Sequence, residues 1–364
     1  MILSFYLARR FLRMFARVFF IFFGILLLID MLDQIRRFSD DSIGILRALE
    51  LALLHVPSSL YTILPLILIL AAIALFLGLA RSSELVVMRG AGRAGLRILA
   101  APAIAALLLG MVIVAVLNPI VAATSNRYDA LSSRLANGTS QVLSVSGTGL
   151  WLRQGDDEGQ TVIRADRANA NGTVLTGVTV LTFNTEGQLA TRIAARTARL
   201  MPGEWQLTDA KRWTMDERVP EASARISGTL TLPSDLTPDT IRDGFRAPSD
   251  IPIWELPAYI RGLETAGFQA REHRVWFQSE LSLPVFLAAM VLIAAGFTMR
   301  HARLGNTGNK VLLALLVGFA VFFLRSFAQV LGENGQLPVV LAAWIPPLAA
   351  VLASLGLLLH LEDG

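Results

Sequence analysis

The sequence predicts a polytopic α-helical membrane protein: six transmembrane helices arranged three and three, with an all-β domain inserted between the two sets. Three observations predict it. Charged residues make up 16% of the chain and hydrophobic ones 54%, with a mean hydropathy of +0.57, whereas a water-soluble domain carries about a quarter charged residues. The apolar residues gather into six segments, three before residue 124 and three after residue 280. Between them the composition turns to Thr, Arg, Gly, Asp and Asn with strand-like alternation.

The spans follow from length. Pro57–Ala80, Ile98–Ala123 and Leu337–Leu359 carry no formal charge and are long enough to cross a hydrocarbon layer of about 30 Å at about 1.5 Å per residue. Leu281–Met299 is shorter but sufficient, and Val311–Leu324 spans by continuing through Arg325 to about Leu331. The first segment is uncharged only from Val18 to Ile29. Arg9, Arg13 and Arg17 share one helical face there, so they can snorkel to the interface while Phe11, Phe15 and Phe19 turn inward. No small-residue cleavage site follows, which predicts a retained signal anchor. The domain boundaries expected are 1–123 for the first three spans, with a short cytoplasmic helix at about 81–97, then 124–274 for the β domain and linker, and 275–364 for the last three spans.

Orientation comes from arginine and lysine in the short loops. One set of helix ends carries Arg9, Arg10, Arg13 and Arg17, then Arg81, Arg89, Arg93 and Arg97, then Arg300, Arg303 and Lys310. The opposite set has Arg36, Arg37 and Arg47 diluted by five acids between Asp30 and Glu50. Both termini are therefore expected in the cytoplasm and the β domain on the far side of the membrane. Within that domain Val178–Phe183 and Leu189–Ala194 alternate, Pro202-Gly203 marks a turn, and Trp205–Thr208, Lys211–Met215 and Ala224–Leu232 read as further strands. A sandwich, a jelly roll and a twisted open sheet all fit. A short helix is expected at about Ile253–Thr265, leading into span four.

Several chemistries are excluded. Without cysteine there is no disulfide, thiolate metal site or cysteine nucleophile. The string Gly305-Asn306-Thr307-Gly308-Asn309-Lys310 lacks the spacing of a phosphate-binding loop. The four histidines are scattered, Asp156-Asp157-Glu158 lacks calcium-loop spacing, and no nucleophile elbow occurs. The sequence pI of about 9.9 reflects only +4 net charge, placed beside apolar segments rather than on one face, which argues against nucleic acid. The chain is expected to be no enzyme and to need no cofactor, so an energy source must act in trans.

Two segments carry chemistry. In Arg81-Ser82-Ser83-Glu84-Leu85-Val86-Val87-Met88-Arg89-Gly90-Ala91-Gly92, Ser82 or Ser83 can cap a short helix with Glu84 in its first turn and Leu85 and Met88 on an apolar face. Such a helix between two spans suits a groove on a partner; an interfacial surface helix without a partner is the other reading. At the end of span one, Asp30-Met31-Leu32-Asp33-Gln34-Ile35-Arg36-Arg37 places two arginines at headgroup depth, where they can hold a lipid phosphate or simply anchor the helix. Asp33 can pair with Arg37. Arg325 near the end of span five has the same two readings.

Ser83 to Gly92, Asp33-Gln34-Ile35-Arg36-Arg37 and the three-plus-three layout resemble the lipopolysaccharide-export permeases of the LptF/LptG family, closer to the G-type subunit, over essentially the whole chain. The resemblance implies that the inserted domain is a periplasmic all-β jellyroll-like domain, and that the chain is an ABC transporter permease subunit that extracts lipopolysaccharide from the inner membrane and passes it to a periplasmic bridge. It also implies a heterodimer with an F-type subunit, a dimer of a cytoplasmic ATPase, and a single-span periplasmic jellyroll subunit. By position, Glu84 is the coupling carboxylate with Leu85 and Met88 beside it, and Arg36 and Arg37 take the place of the basic pair at the lipid phosphates. Asp30 stands where a basic residue is often found, and Arg325 is expected to compensate in part. Another ABC-type lipid or lipoprotein permease, or a non-transporting scaffold presenting a β domain, is the alternative.

Overall fold

A computed structural model of the chain describes residues 2–37, 44–93, 95–136, 142–146, 149–156, 159–169, 172–184, 188–215, 224–234, 236–237, 246–265, 269–299 and 307–362. Residues 157, 158, 300, 303, 305 and 306, named above in the acidic cluster, the basic helix ends and the glycine-rich string, lie outside them.

Among the described residues, six helices are long and apolar enough to cross a membrane. The first is α1 (Ile2–Arg37), far longer than its uncharged stretch. Its arginines explain the difference. Arg9, Arg13 and Arg17 stay exposed, while Phe11 is fully buried and Phe15 and Phe19 pack on α2 (Ile45–Arg81) around Val56, Leu60 and Ile67. Apolar stems along the helix with charged heads outward are compatible with one continuous span. Pro57 and Pro65 lie inside α2, which neighbouring helices tolerate in a membrane bundle.

After a two-residue turn comes α3 (Glu84–Gly90), then α4 (Gly95–Val112), a π-helical turn at Ile113–Leu117, and α5 (Asn118–Ala136). A π-turn inserts a residue into the helical ladder and releases a carbonyl. Here the Trp254 indole N–H donates to Ala115 O at 3.1 Å, and Asn118, immediately after the turn, aims its side chain into the bundle. The closing spans are α7 (Arg271–Thr298), α8 (Thr307–Glu333), which runs unbroken through Arg325, and α9 (Val339–Glu362). Of the six, α7 is the most enclosed and α1 the least. At Gly110 a Cβ would lie 2.6 Å from the Pro284 Cα, so α4 and α7 cross with backbones nearly touching.

One compact unit comprises residues 1–129, 249–254 and 274–364, and a second comprises residues 130–248 and 255–273. The second holds seven antiparallel strands in sequential order: β1 (Val142–Ser146), β2 (Gly149–Asp156), β3 (Gly159–Ala168), β4 (Val174–Phe183), β5 (Leu189–Met201), β6 (Glu204–Thr214) and β7 (Arg225–Pro233). Helix α6 (Leu256–Thr265) belongs to the same unit. Of the architectures the pattern left open, the strands make one meandering sheet. Apolar residues line one face in rows: Leu152, Ile163, Val180 and Ile193 are consecutive cross-strand partners, as are Leu150, Ala165, Val178 and Ala195. All eight are buried. The other face alternates polar, with Arg164 over the Trp151 ring and Lys211 over Trp213.

The pairing skips one line across the sheet. Gly177 and Asp209 have positive φ, 66° and 53°, and neither has a ladder partner in β5. A Cβ at Gly177 would sit 2.3 Å from the Asp166 carboxylate, so only glycine fits. Arg196 Nε bridges to Asp209 at 3.1 Å on the same line. Such irregularities bend a sheet. They also explain why Trp205–Thr208 and Lys211–Met215 read as two strands although β6 is one: Asp209 breaks the alternation without ending the pairing.

Candidate functional site: three polar clusters on the helical unit

The short helix α3 is positioned by its flanks rather than by its own propensity. Seven residues are too few to hold a helix alone in water. Ser83 at its N-cap is left-handed (φ 58°) and makes no side-chain cap, contrary to the capping role expected of it. The Ser82 hydroxyl does something else: it lies 2.7 Å from Glu84 Oε1 and 3.0 Å from Gly78 O, and its single proton goes to the nearer carboxylate. Leu85 and Met88 are buried, while Val86, Val87 and Arg89 are exposed.

Glu84 itself is held by α1. Arg10 Nη1 donates to both carboxylate oxygens at 2.7 Å, and the Tyr6 hydroxyl donates to Oε2 at 3.0 Å while accepting from Arg10 at 2.5 Å. Burial pushes the Glu84 carboxyl up, but the hydrogen bonds from Arg10, Ser82 and Tyr6, with the Arg10 charge, outweigh it and hold the group below the ordinary carboxylate range.

A second cluster sits at the opposite end of α1. Arg36 and Arg37 are both exposed. Arg37 Nη1 donates to the Tyr128 hydroxyl at 3.3 Å, and buried Gln34 donates to the same oxygen at 3.0 Å. The Tyr128 ring lies 4.9 Å from the His55 ring, centroid to centroid, and His55 Nδ1 is 3.1 Å from Asp30 Oδ1. Asp30 thus faces α2 and ties α1 to it. Asp30, at the position where a basic residue was expected, thus makes an interhelical contact.

The third cluster lies inside the helices. Glu280 on α7 is buried and accepts from the Tyr61 hydroxyl of α2 in a short hydrogen bond and from Asn118 Nδ2 at 3.3 Å. Asn118 Oδ1 in turn accepts from the Ile253 N–H at 2.9 Å. Arg325 on α8 points inward: its guanidinium is 5.0 Å from the centre of the Phe286 ring, Nη2 donates to Ser279 O at 3.0 Å, and it lies within Coulomb range of Glu280. Its Nε is buried with no hydrogen-bond partner among the described residues. Glu280 escaped the sequence reading because it falls one residue before the uncharged run from Leu281. The legible signal was a carboxylate abutting span four and an arginine inside span five, opposite charges at matching edges of apolar runs.

Three spans, an inserted β domain and three further spans define a multi-pass membrane protein of the permease type, with polar residues concentrated at helix ends and in one interhelical node. The chain belongs to the lipopolysaccharide export system permease LptF/LptG family, whose model matches residues 5–360. Among curated relatives, the lipopolysaccharide export system permease protein LptG of Escherichia coli (strain K12) is 26% identical over 340 residues, covering 92% of this chain and 91% of that protein. The LptG of Haemophilus influenzae is 24% identical over 347 residues, covering 93% of each. A multi-pass inner-membrane location follows from these relatives and the six apolar helices.

Proposed function

We propose that the chain is the G-type permease subunit of an ABC-type exporter that lifts lipopolysaccharide out of the inner membrane. It pairs with an F-type subunit above a dimer of a cytoplasmic ATPase, and a single-span periplasmic jellyroll subunit joins the assembly. Both termini and α3 lie on the cytoplasmic side, where the arginine-rich helix ends gather, and the β domain lies in the periplasm. The ATPase engages α3, whose helix carries Glu84, Leu85 and Met88. Nucleotide-driven closure shifts the helices and squeezes the lipid from its cavity toward the β domain, whose apolar face receives acyl chains on the way to the periplasmic bridge. Arg36 and Arg37 hold the lipid A phosphates through charge-assisted contacts. Arg325 is assigned to the same lipid phosphates, although its side chain here turns inward and donates to Ser279 O.

The observation that carries this reading is the short α3 between two spans, with a carboxylate tied to the far end of the helix that bears the exposed arginine pair. Purification from native membranes tests it. A permease brings down an ATPase and a second permease, with lipopolysaccharide among the bound lipids by mass spectrometry, and the complex shows lipid-stimulated hydrolysis. Recovery of the chain with β-domain partners but no ATPase favours a scaffold instead.

A further inference from the structure

Glu84 has no unoccupied oxygen. Oε1 accepts from Arg10 and Ser82, and Oε2 accepts from Arg10 and Tyr6, all within the same chain. Arg10 reaches this position by crossing α2 at Gly78, where a Cβ would lie 3.9 Å from Nη2. The ion pair is only partly exposed, with side-chain exposures of 20% and 32%, so water screens it incompletely. The helix it fixes has no side-chain cap and too few residues to stand alone. Its orientation therefore depends on the Arg10–Glu84 pair and on the burial of Leu85 and Met88.

The other partner is α1, a single unbroken helix. From Arg10 to Arg36 is 26 residues, about 39 Å at about 1.5 Å per residue. A displacement of α3 that is transmitted to Arg10 is transmitted along that rod to the exposed arginine pair at its end.

We propose that Arg10, supported by Tyr6, is the positioning residue through which Glu84 acts: the pair clamps α3 to the N-terminal end of α1, so that the two helices move as one body. This deepens the permease reading above and rests on it for the source of the motion. Glu84 is then a strut within its own chain, and the ATPase moves α3 through other residues of that helix.

Reciprocal charge exchange tests the clamp in the complete complex in lipid nanodiscs. Arg10→Glu and Glu84→Arg are each expected to lower lipopolysaccharide transfer per ATP hydrolysed by at least about tenfold, the factor that goes with one lost charge-assisted hydrogen bond, with the ATPase still co-purifying. The double exchange is expected to regain most of it. A double variant as inactive as Glu84→Arg alone overturns the proposal, because the carboxylate then acts on another chain. A second measurement does not depend on those variants folding. The chain has no cysteine, so spin labels at Phe5→Cys and Val87→Cys, both exposed positions, report the α1–α3 distance cleanly. The expected distribution is single and unchanged between nucleotide-free and ATP-trapped complexes, and it broadens in the isolated permease when Arg10→Ala is added. A distance that shifts with nucleotide in the unaltered chain overturns the clamp. Absence of any ATPase instead defeats the permease reading and leaves the distance in the isolated chain as the test of the clamp.

Discussion

Replacing Glu280 by leucine should destabilise the helical unit more than replacing Glu280 and Arg325 together. The Glu280 carboxylate is buried, takes hydrogen bonds from Tyr61 and Asn118, and offsets the inward-facing Arg325 guanidinium. Breaking a directly bridged buried pair costs about 3–5 kcal/mol; Arg325 faces Glu280 with no direct ion pair among the described residues, so the lower end, about 3 kcal/mol, is taken for the charge left behind. Tyr61 and Asn118 each lose an acceptor as well, about 1–3 kcal/mol apiece where nothing replaces it. Asn118 keeps its contact with the Ile253 N–H, so we take the lower figure for it. The single variant should then lose on the order of 5 kcal/mol, and removing Arg325 as well should return about 2 kcal/mol or more of that. Glu280→Gln separates the contributions, since it retains an acceptor oxygen but removes the charge. The assay is reversible unfolding in mixed micelles followed by far-ultraviolet dichroism, with the four chains forming a double-mutant cycle. Glu280→Leu as stable as the parent, or losses from the two single variants that simply add in the double, would refute the reasoning.

Gly110→Leu should impair folding of the helical unit, because its Cβ meets the Pro284 Cα at 2.6 Å and that contact is backbone on the α7 side; a monodisperse, fully thermostable variant would contradict the close crossing. Trp205, fully buried in the β domain, should cost about 3–5 kcal/mol on truncation to alanine, read as a lower melting temperature of that unit, with no change counting against the packing described. Arg36→Glu with Arg37→Glu should weaken photocrosslinking of lipopolysaccharide near the end of α1; undiminished crosslinking reduces the pair to interfacial anchors. The folded-state pKa of Glu84 is depressed below its ordinary 4.5, so its contribution is fully present above that value and disappears only as pH falls through the lower folded value. The α1–α3 spin-label distance should therefore hold at pH 5 and loosen under stronger acid, and loosening already between pH 7 and 5 would contradict the arrangement.

Hydropathy made the six spans legible because a bilayer imposes a length on apolar sequence that no local interaction overrides. It read α1 short, since charged heads at Arg9, Arg13 and Arg17 lie on a face that a residue-by-residue count cannot see. Strands β4 to β7 were visible in alternation and turn residues. Strands β1 to β3 were not singled out, for their alternation is interrupted by arginine and glycine, and Asp209 split β6 in the reading by a local twist that depends on its partner strand. Glu84, Arg36 and Arg37 were legible as residue types in suggestive places. Their contacts were not: Arg10 and Tyr6 meet Glu84 from more than seventy residues away, and Tyr61, Asn118 and Glu280 converge from three separate helices. Separation in sequence of that size leaves no periodic trace. Burying those polar groups is tolerable only because they satisfy one another, a condition that exists after the helices assemble.

The central claim is that work done at α3 moves an anionic lipid held at the other end of α1. A photocrosslinker in place of Arg36, in the reconstituted complex loaded with lipopolysaccharide, tests it most directly. The account expects a strong lipid adduct without nucleotide, a marked fall on adding ATP, and persistence of the adduct under ATP when Glu84 is changed to alanine. An adduct that is absent throughout, or that falls equally in the Glu84→Ala complex, contradicts it.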